Sequence, residues 1–480
     1  MEKETSSKLF SFSIRQDITK YNAIIIVIAL SILAIFYLMP PIPGLSQIGK
    51  TMIGILIMGA ILWITEPIPL PVTGLLILII QPILGVMPAR DVFSAFGNQA
   101  VFFLIGAFIL AAAVEKQGLH RRIALRLLSL FEKSPHIFTL GIMVSCATLS
   151  FVMPEHGVAA LFLPIVASIL IAMKITPRES NFGIISMLSI AYGCSIGSLG
   201  TLVGGARNPL TIAILSDLNP PIEVTFVDWM IYSMPVVIIC IPVVWVILQL
   251  SFPIEINSIE SAKQEIENQV ILSGRINKGE LKVLMILILT IFLWVFFSSP
   301  DYFGFAVIAL LGSILLFFSG TITWKDVEKR VPWGVILLYG GAITLGVGME
   351  SSGAGSWLAQ NIFSIVGNNP ILVIFGLIII TMVLTNIMSN VGAVAVLLPI
   401  GIALANEIPS ISPLLSALLV ALSGGLAFIF IIATPGNAIA YSSGYFSSRN
   451  LLKAGVLSNL LCLLIIFGVA IFYWQGVLGL

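Results

Sequence analysis

Polar chemistry in this 480-residue chain is concentrated in four short places. The first is Pro154-Glu155-His156-Gly157. The second, residues 197–208 (GSLGTLVGGARN), ends in Arg207-Asn208. The third runs from Thr385-Asn386 through Ser389-Asn390-Val391-Gly392. The fourth, residues 424–437 (GGLAFIFIIATPGN), carries Ala433-Thr434-Pro435 and Asn437. Each lies inside a long apolar stretch, and each contains Gly or Pro, which interrupt helices and free backbone carbonyls and amides. Freed carbonyl oxygens can coordinate cations, and half-helix N-termini face anions. Thr385, Asn386, Ser389 and Asn390 supply neutral oxygens and amide donors, a set that suits a weakly held sodium ion and a carboxylate together. The plainer alternative is that Ser and Asn only cap the following helix.

The surroundings decide what these groups must do. Hydrophobic residues make up 58% of the chain and charged residues only 9%. A soluble protein of this length could not cover its surface with so few charges. Apolar runs such as 21–39, 229–252, 281–299 and 455–473 are each long enough to cross about 30 Å of hydrocarbon. They do not alternate apolar and polar residues, which excludes a β-barrel. The expectation is an all-α polytopic membrane protein, with 21–39 as a true first span rather than a cleaved leader. The four cysteines, Cys146, Cys194, Cys240 and Cys462, lie in apolar segments at unrelated spacings and read as small buried thiols.

An internal repeat organises the chain. LFLPI (161–165) returns as VLLPI (396–400), 235 residues later. The same offset carries Arg90-Asp91-Val92 onto Lys325-Asp326-Val327, Gly106 onto Gly341, Glu115 onto Glu350, Gly118 onto Gly353, Pro135 onto Pro370 and Gly157 onto Gly392. The chain therefore reads as a tail and first span (1–50), a first repeat (51–252), a polar cytoplasmic linker (253–280) and a second repeat (281–480). Spans are expected near 51–65, 68–86, 99–115, 181–216 and 228–252, and again near 281–299, 302–320, 333–351, 413–442 and 452–475. With the first span this gives eleven transmembrane helices. An odd number per repeat makes the repeats inverted. Segments 136–175 and 371–408 remain as re-entrant hairpins whose tips, at 154–157 and 389–392, stop inside the membrane. The first opens inward and the second outward.

Charge supports this plan. With the N-terminus cytoplasmic and the C-terminus outside, 20 of the 23 Lys and Arg residues fall on the inner side, as the positive-inside rule requires. Basic, amphipathic 119–133 suits an inner interfacial helix; its uncharged counterpart 354–368 suits an outer one. Arg207 belongs to neither side. A lone Arg near mid-membrane costs at least about 2.5–3.5 kcal/mol on insertion scales, so it needs a partner. Glu155 is the obvious one. His156 can donate a hydrogen bond to an anion or titrate near neutral pH. Glu66, Glu115 and Glu350, near span ends, read as interfacial or capping carboxylates. No phosphate loop, zinc spacing or nucleophile elbow appears, so neither ATP-driven transport nor enzymatic chemistry has support. The net charge of +1 gives no nucleic-acid signal.

SNVGAVAVLLPI, followed by ATPGNAIAYSSGYFSSRNLLKAG, resembles the divalent anion:sodium symporter family, over nearly the whole chain from about residue 50. Members carry two Ser-Asn-Thr hairpin tips and two Thr-Pro-Pro-Asn-like breaks. The resemblance implies a homodimer in the cell's plasma membrane, in which a transport part moves, elevator-like, against a scaffold and carries dicarboxylates, citrate or sulfate. It implies sodium as coupling ion and no other cofactor. Carried onto this chain, the second sodium site uses Thr385, Ser389, Asn390 and carbonyls near Ala433. Substrate contacts come from Ser389, Asn390, Thr434 and Pro435, with His156, Asn208 and Asn437 completing the set. The departures are Val391 where members have Thr, Pro154-Glu155-His156 in place of the first Ser-Asn-Thr, and Arg207 in place of a break proline. The expectation that follows is that the Arg207 guanidinium, neutralised by Glu155, replaces the first sodium ion. The alternatives are a proton-coupled or cation-independent anion exchanger, with Glu155 and His156 taking the proton, and a cation/proton antiporter or arsenite-type permease.

Overall fold

The computed structural model describes residues 20–298, 303–366 and 369–480. Lys3, Lys8 and Arg15 of the basic tail lie outside the described residues. So do residues 299 and 302 at the ends of two expected spans and 367–368 of the expected outer interfacial helix.

The chain is all-helical. After α1 (Lys20–Leu38) and α2 (Gln47–Thr65), the first half continues with α3 (Leu70–Ile83), α4 (Ala89–Phe96), α5 (Gln99–Gln117), α6 (Leu119–Leu128), α7 (Pro135–Leu149), α8 (Glu155–Ala172), α9 (Asn181–Gly197), α10 (Arg207–Ser216) and α11 (Phe226–Ser251). The linker contains a helix of its own, α12 (Glu260–Leu272). The second half holds α13 (Lys278–Phe296), α14 (Phe305–Phe318), α15 (Trp324–Arg330), α16 (Trp333–Ser351), α17 (Ala354–Val366), α18 (Pro370–Ile387), α19 (Asn390–Glu407), α20 (Pro413–Ser423), α21 (Pro435–Ser442) and α22 (Ser448–Gly468).

Local chemistry sets these boundaries. Side chains of Ser134, Ser180, Thr225, Ser389, Ser412 and Thr434 cap their helices, and Pro begins α7, α18, α20 and α21, where its missing N–H is no loss. Gly118 and Gly353, 235 residues apart, take the same left-handed turn (φ 78° and 73°) between a 19-residue helix and the shorter helix that follows it. The 235 offset also holds for whole helices: α3 onto α14 and α8 onto α19 match at both ends.

The halves also pack reciprocally. α5 of the first half crosses α14 of the second where Gly106 meets Ala309; a Cβ on Gly106 would stand 2.7 Å from the Ala309 backbone. α16 of the second half crosses α3 of the first where Gly341 meets Gly74, with a Cβ on Gly341 only 2.4 Å from the Gly74 Cα. Both members of each crossing are related by the same offset. Contact of i with j′ and of i′ with j is the signature of a two-fold relation between like units.

Ten helices are long and apolar enough to cross a membrane among the described residues. The set differs from the eleven expected spans. It includes three hairpin helices, α8, α18 and α19, and omits four segments. Two of those, α3 and α14, are single helices of only 14 residues. The other two, 181–216 and 413–442, are each divided: α9 and α10 are separated by residues 198–206, α20 and α21 by residues 424–434. All four cysteines are free and buried.

Asp217, the C-cap of α10, ties that helix to α5: the Asn98 amide donates to both carboxylate oxygens at 3.0 Å. Desolvation raises the Asp217 carboxyl from its ordinary 3.8 to about 6, against the opposing Asn98 bond. The folded state thus holds this proton more tightly than the unfolded chain, so stability falls as pH rises from about 4 to about 6. Asp217→Asn is expected to remove that limb. Thermal melts of the detergent-solubilised protein between about pH 4 and 7 check this; parallel curves for the two proteins would refute it.

Candidate functional site

Two hairpin tips and two helix breaks meet at one place. The first tip, between α7 and α8, lies directly on the first break. A Cβ on Gly197 would stand 2.3 Å from the Ala147 Cα, and one on Gly204 2.3 Å from the Ser150 carbonyl oxygen, so only glycine permits this approach. Thr201 Oγ1 donates to the Phe151 carbonyl at 2.7 Å and fixes tip to break.

Inside the break, carbonyls that a continuous helix would satisfy are met by side chains. Trp229 Nε1 donates to Leu199 O (2.9 Å) and Ser233 Oγ to Gly200 O (3.2 Å). The Asn208 amide donates to Ser198 O (2.8 Å) and Thr201 O (2.6 Å), ten and seven residues before it. The second break repeats this at the same spacing: the Asn437 amide donates to Ala427 O (2.9 Å) and Phe430 O (3.0 Å). Asn459 bridges Leu426 O and the Phe428 N–H there, and Asn386 accepts from the Ile429 N–H. Asn208 and Asn437 were expected to touch substrate. Both are instead fully buried braces whose donors are committed to backbone, and neither lines the cavity described next.

A cavity of about 350 Å³ lies between the four segments. The first half contributes Glu155, His156 and Arg207; the second contributes Ser389, Asn390, Ala433, Thr434 and Pro435. Glu66, expected to be a capping carboxylate, caps α2 in a left-handed conformation (φ 46°) and also lines this cavity. Glu155 is the first residue of α8, where the helix dipole favours a negative group. It is 9% exposed, and Arg207, the first residue of α10, is 2% exposed.

Glu155 and Arg207 do not pair directly: no ion pair within 4.0 Å joins them. They meet on one hydroxyl, with Ser198 Oγ at 2.7 Å from Arg207 Nη2 and 3.1 Å from Glu155 Oε2. The guanidinium extends beyond Ser198 to the second break, where a Cβ on Gly425 would fall 2.3 Å from Nη2. Arg207 thus crosses from one repeat to the other.

The second tip has no charge. The Thr385 hydroxyl lies 2.8 Å from Asn390 Oδ1 and 2.7 Å from Gly424 O. Three neutral oxygens from a helix, a tip and a break therefore converge, the donor type a hard cation takes. Asn390 Nδ2 is buried without a protein partner, an unmet donor suited to an anion. Ser389 does cap α19, accepting from the Gly392 N–H at 3.2 Å. Ala433 closes a single helical turn before α21.

A larger cavity, about 840 Å³, adjoins the first; Phe108, Pro154 and His156 line both. It is also lined by Glu115, which pairs with Arg330, by His120 and Arg121 of α6, and by Glu265, Gln269 and Leu272 of α12. The larger cavity thus extends from the first toward α6 and the linker helix α12.

Residues 20–480 match the family model described as the sodium:sulfate symporter transmembrane region. The chain belongs to this family, that of the divalent anion:sodium symporters. Its members are transporters and not enzymes. Across 99% of the chain and 96% of the relative, the sequence is 30% identical to the sodium-dependent dicarboxylate transporter of Staphylococcus saprophyticus. It is 29% identical to the dicarboxylate transporter of Staphylococcus aureus, over 90% of the chain and 87% of the relative. It is also 29% identical to an uncharacterized transporter of Haemophilus influenzae, over 94% and 97%. Two solved structures share the fold at low identity. The antimetabolite efflux pump MtrF of Neisseria gonorrhoeae gives a TM-score of 0.58 at 12% identity over 94% of both chains. The YdaH transporter of Alcanivorax borkumensis gives 0.51 at 14% over 80% of this chain and 88% of its own.

Sequence reasoning missed Ser198, the hydroxyl on which the charges meet, and Asn459. The first break offers two hydroxyls, Ser198 and Thr201, and spacing does not say which of them meets the charges. Removing the Ser198 hydroxyl takes from Arg207 and Glu155 the buried partner they share. Ser198→Ala is expected to lower stability by about 1–3 kcal/mol. Arg207→Pro with Glu155→Asn, which removes both charges, is expected to cost less than Glu155→Ala alone, which leaves the guanidinium unpartnered. Thermal melts of the three variants measure the order; a Glu155→Ala variant as stable as the double variant would overturn it.

Proposed function

We propose that the protein is a secondary active transporter of small divalent anions, succinate- or malate-like dicarboxylates first and citrate or sulfate within its range, coupled to sodium through the second-half site. The observation that carries this is the asymmetric cavity. One wall offers Ser389, Asn390 and Thr434, with the unmet Asn390 amide and, bonded together behind the Asn390 oxygen, the buried oxygens of Thr385 and Gly424; the other offers the fixed cation Arg207. A dianion set between a bound sodium ion and a guanidinium is screened from both sides. Sodium is held by Thr385 and Asn390, with Ser389 and the Ala433 region completing the set. The anion meets Ser389, Asn390, Thr434, Pro435 and His156. Arg207 stands for the first sodium ion. The names of the staphylococcal relatives support sodium and dicarboxylate for this chain as well.

The transport cycle we infer moves the two hairpins and broken helices as one body, elevator-like, in a homodimer within the cell's plasma membrane. The two halves are inverted repeats, α7–α8 and α18–α19 are re-entrant, and the N-terminus is cytoplasmic and the C-terminus outside. The reciprocal crossings at Gly106 and Gly341 support the two-fold relation. In this orientation the end of the larger cavity beside α6 and α12 lies toward the cytoplasm.

Uptake of radiolabelled succinate and sulfate into proteoliposomes, in sodium against choline buffer, tests the reading. Sodium is expected to be required, and Asn390→Ala is expected to reduce sodium-dependent uptake at least tenfold, about the 1.4 kcal/mol that one hydrogen-bonded ligand contributes. Equal uptake in choline would refute sodium coupling. The double variant Arg207→Pro, Glu155→Asn is expected to raise the apparent sodium stoichiometry; an unchanged sodium dependence and affinity would remove Arg207 from the role of an ion.

A further inference from the structure

We infer that Glu155 is a proton-binding site, so that anion binding takes up one proton together with the sodium ion of the second half. The inference rests on the anion-transport reading above and adds a second coupling ion to it.

Hydrogen counting at Ser198 carries the argument. Its hydroxyl has one hydrogen and two lone pairs. Three groups reach it: Arg207 Nη2 at 2.7 Å, Ser195 O at 2.7 Å and Glu155 Oε2 at 3.1 Å. Arg207 can only donate, and the Ser195 carbonyl can only accept. The Ser195 carbonyl sits in the last turn of α9, where the following N–H groups of Ser198, Leu199 and Gly200 go to the carbonyls of residues 194, 196 and 197. The Ser198 hydroxyl is therefore what meets Ser195, and its hydrogen is committed there. The contact between Ser198 and Glu155 then contains a hydrogen only when Glu155 brings it, so this arrangement is that of the protonated, anion-ready site, which anion binding selects over the ionised one. An ionised Glu155 would face a lone pair, or would take the Ser198 hydrogen and leave a buried carbonyl unmet.

Charge balance points the same way. An ionised Glu155 cancels Arg207 and gives the first half no net charge. A protonated Glu155 leaves the guanidinium free to face the anion, as a sodium ion would. A dianion, one sodium ion and one uncompensated guanidinium sum to zero, whereas ionised Glu155 leaves a buried negative charge, which is costly. Anion and proton binding therefore favour each other reciprocally.

The charged and titratable groups around Glu155 are Arg207 from α10, His156 beside it on α8, Glu66 from the end of α2, and Tyr339 of α16, which acts on Arg207. The second tip presents neutral groups. His156, which lines both cavities, and the exposed carboxylate of Glu66 are the other groups able to titrate here, and Glu155→Gln separates Glu155 from both.

The full-length protein in detergent with sodium, weakly buffered and containing a pH-indicator dye, is mixed with sulfate, whose charge does not change between about pH 6 and 8.5. About one proton is expected to be taken up per sulfate bound, and sulfate affinity is expected to rise by up to about tenfold per pH unit as pH falls. Glu155→Gln, which keeps a hydrogen at that position, is expected to take up no proton and to show a flat affinity profile. His156→Asn is expected to keep the wild-type slope. Sodium-dependent sulfate binding without proton uptake by the wild-type protein overturns the inference and leaves the transport reading standing. A wild-type slope in Glu155→Gln, or a flat profile in His156→Asn, also overturns it. If Glu155→Gln does not fold, proton uptake by His156→Asn decides: uptake kept supports Glu155, and uptake lost assigns the proton to His156 and overturns the inference. Failure to bind sulfate, succinate and citrate at every pH overturns both readings.

Discussion

Backbone freed inside an apolar interior must be met by the protein itself, because lipid offers no hydrogen bonds. The two interrupted helices depend on that constraint. Asn208 and Asn437 each hold the carbonyls ten and seven residues before them, and Trp229, Ser233, Asn386 and Asn459 meet five further backbone groups: Leu199 O, Gly200 O, Leu426 O, and the N–H groups of Phe428 and Ile429. With donors spent this way, the breaks are fixed loops whose remaining groups can be aimed at a ligand. Pre-positioned polar groups lose less on binding than groups that must first be ordered.

The same frame serves two different electrostatic solutions. In the second half, Thr385, Asn390 and Gly424 gather oxygen atoms with no formal charge. In the first, Glu155 stands where Asn390 stands in the second, at the first position of the matching helix, and it shares Ser198 with Arg207. Burying a cation without its partner destabilises strongly, whereas a partnered one is tolerated. A buried Arg207 in the first half therefore depends on Glu155 and Ser198 being there with it.

Much of this plan was legible in the sequence because one offset of 235 residues carries helices, breakers and interfacial segments together. Pro154 to Gly157 and Arg207 were singled out because charge is rare in such surroundings. What sequence could not supply was direction. Asn208 and Asn437 sit in motifs that suggest ligand contact, yet their amides turn toward the backbone; spacing does not distinguish the two. Ser198 gained its role only because residues 43 apart in the chain, Ser198 and Glu155, meet in space. Glu66 is a helix cap by local pattern and a cavity residue by tertiary position. The linker reads as polar and featureless, but 13 of its residues form α12, and Gln269 from that helix donates to Ser168 of α8 at 2.6 Å.

Arg207 has one more consequence. A metal ion held by neutral oxygens leaves the site when its concentration in the medium drops, whereas a guanidinium bonded to the main chain stays at full occupancy in fresh water and in brine alike. The positive charge that Arg207 brings to the cavity is in this way uncoupled from the salt concentration of the medium.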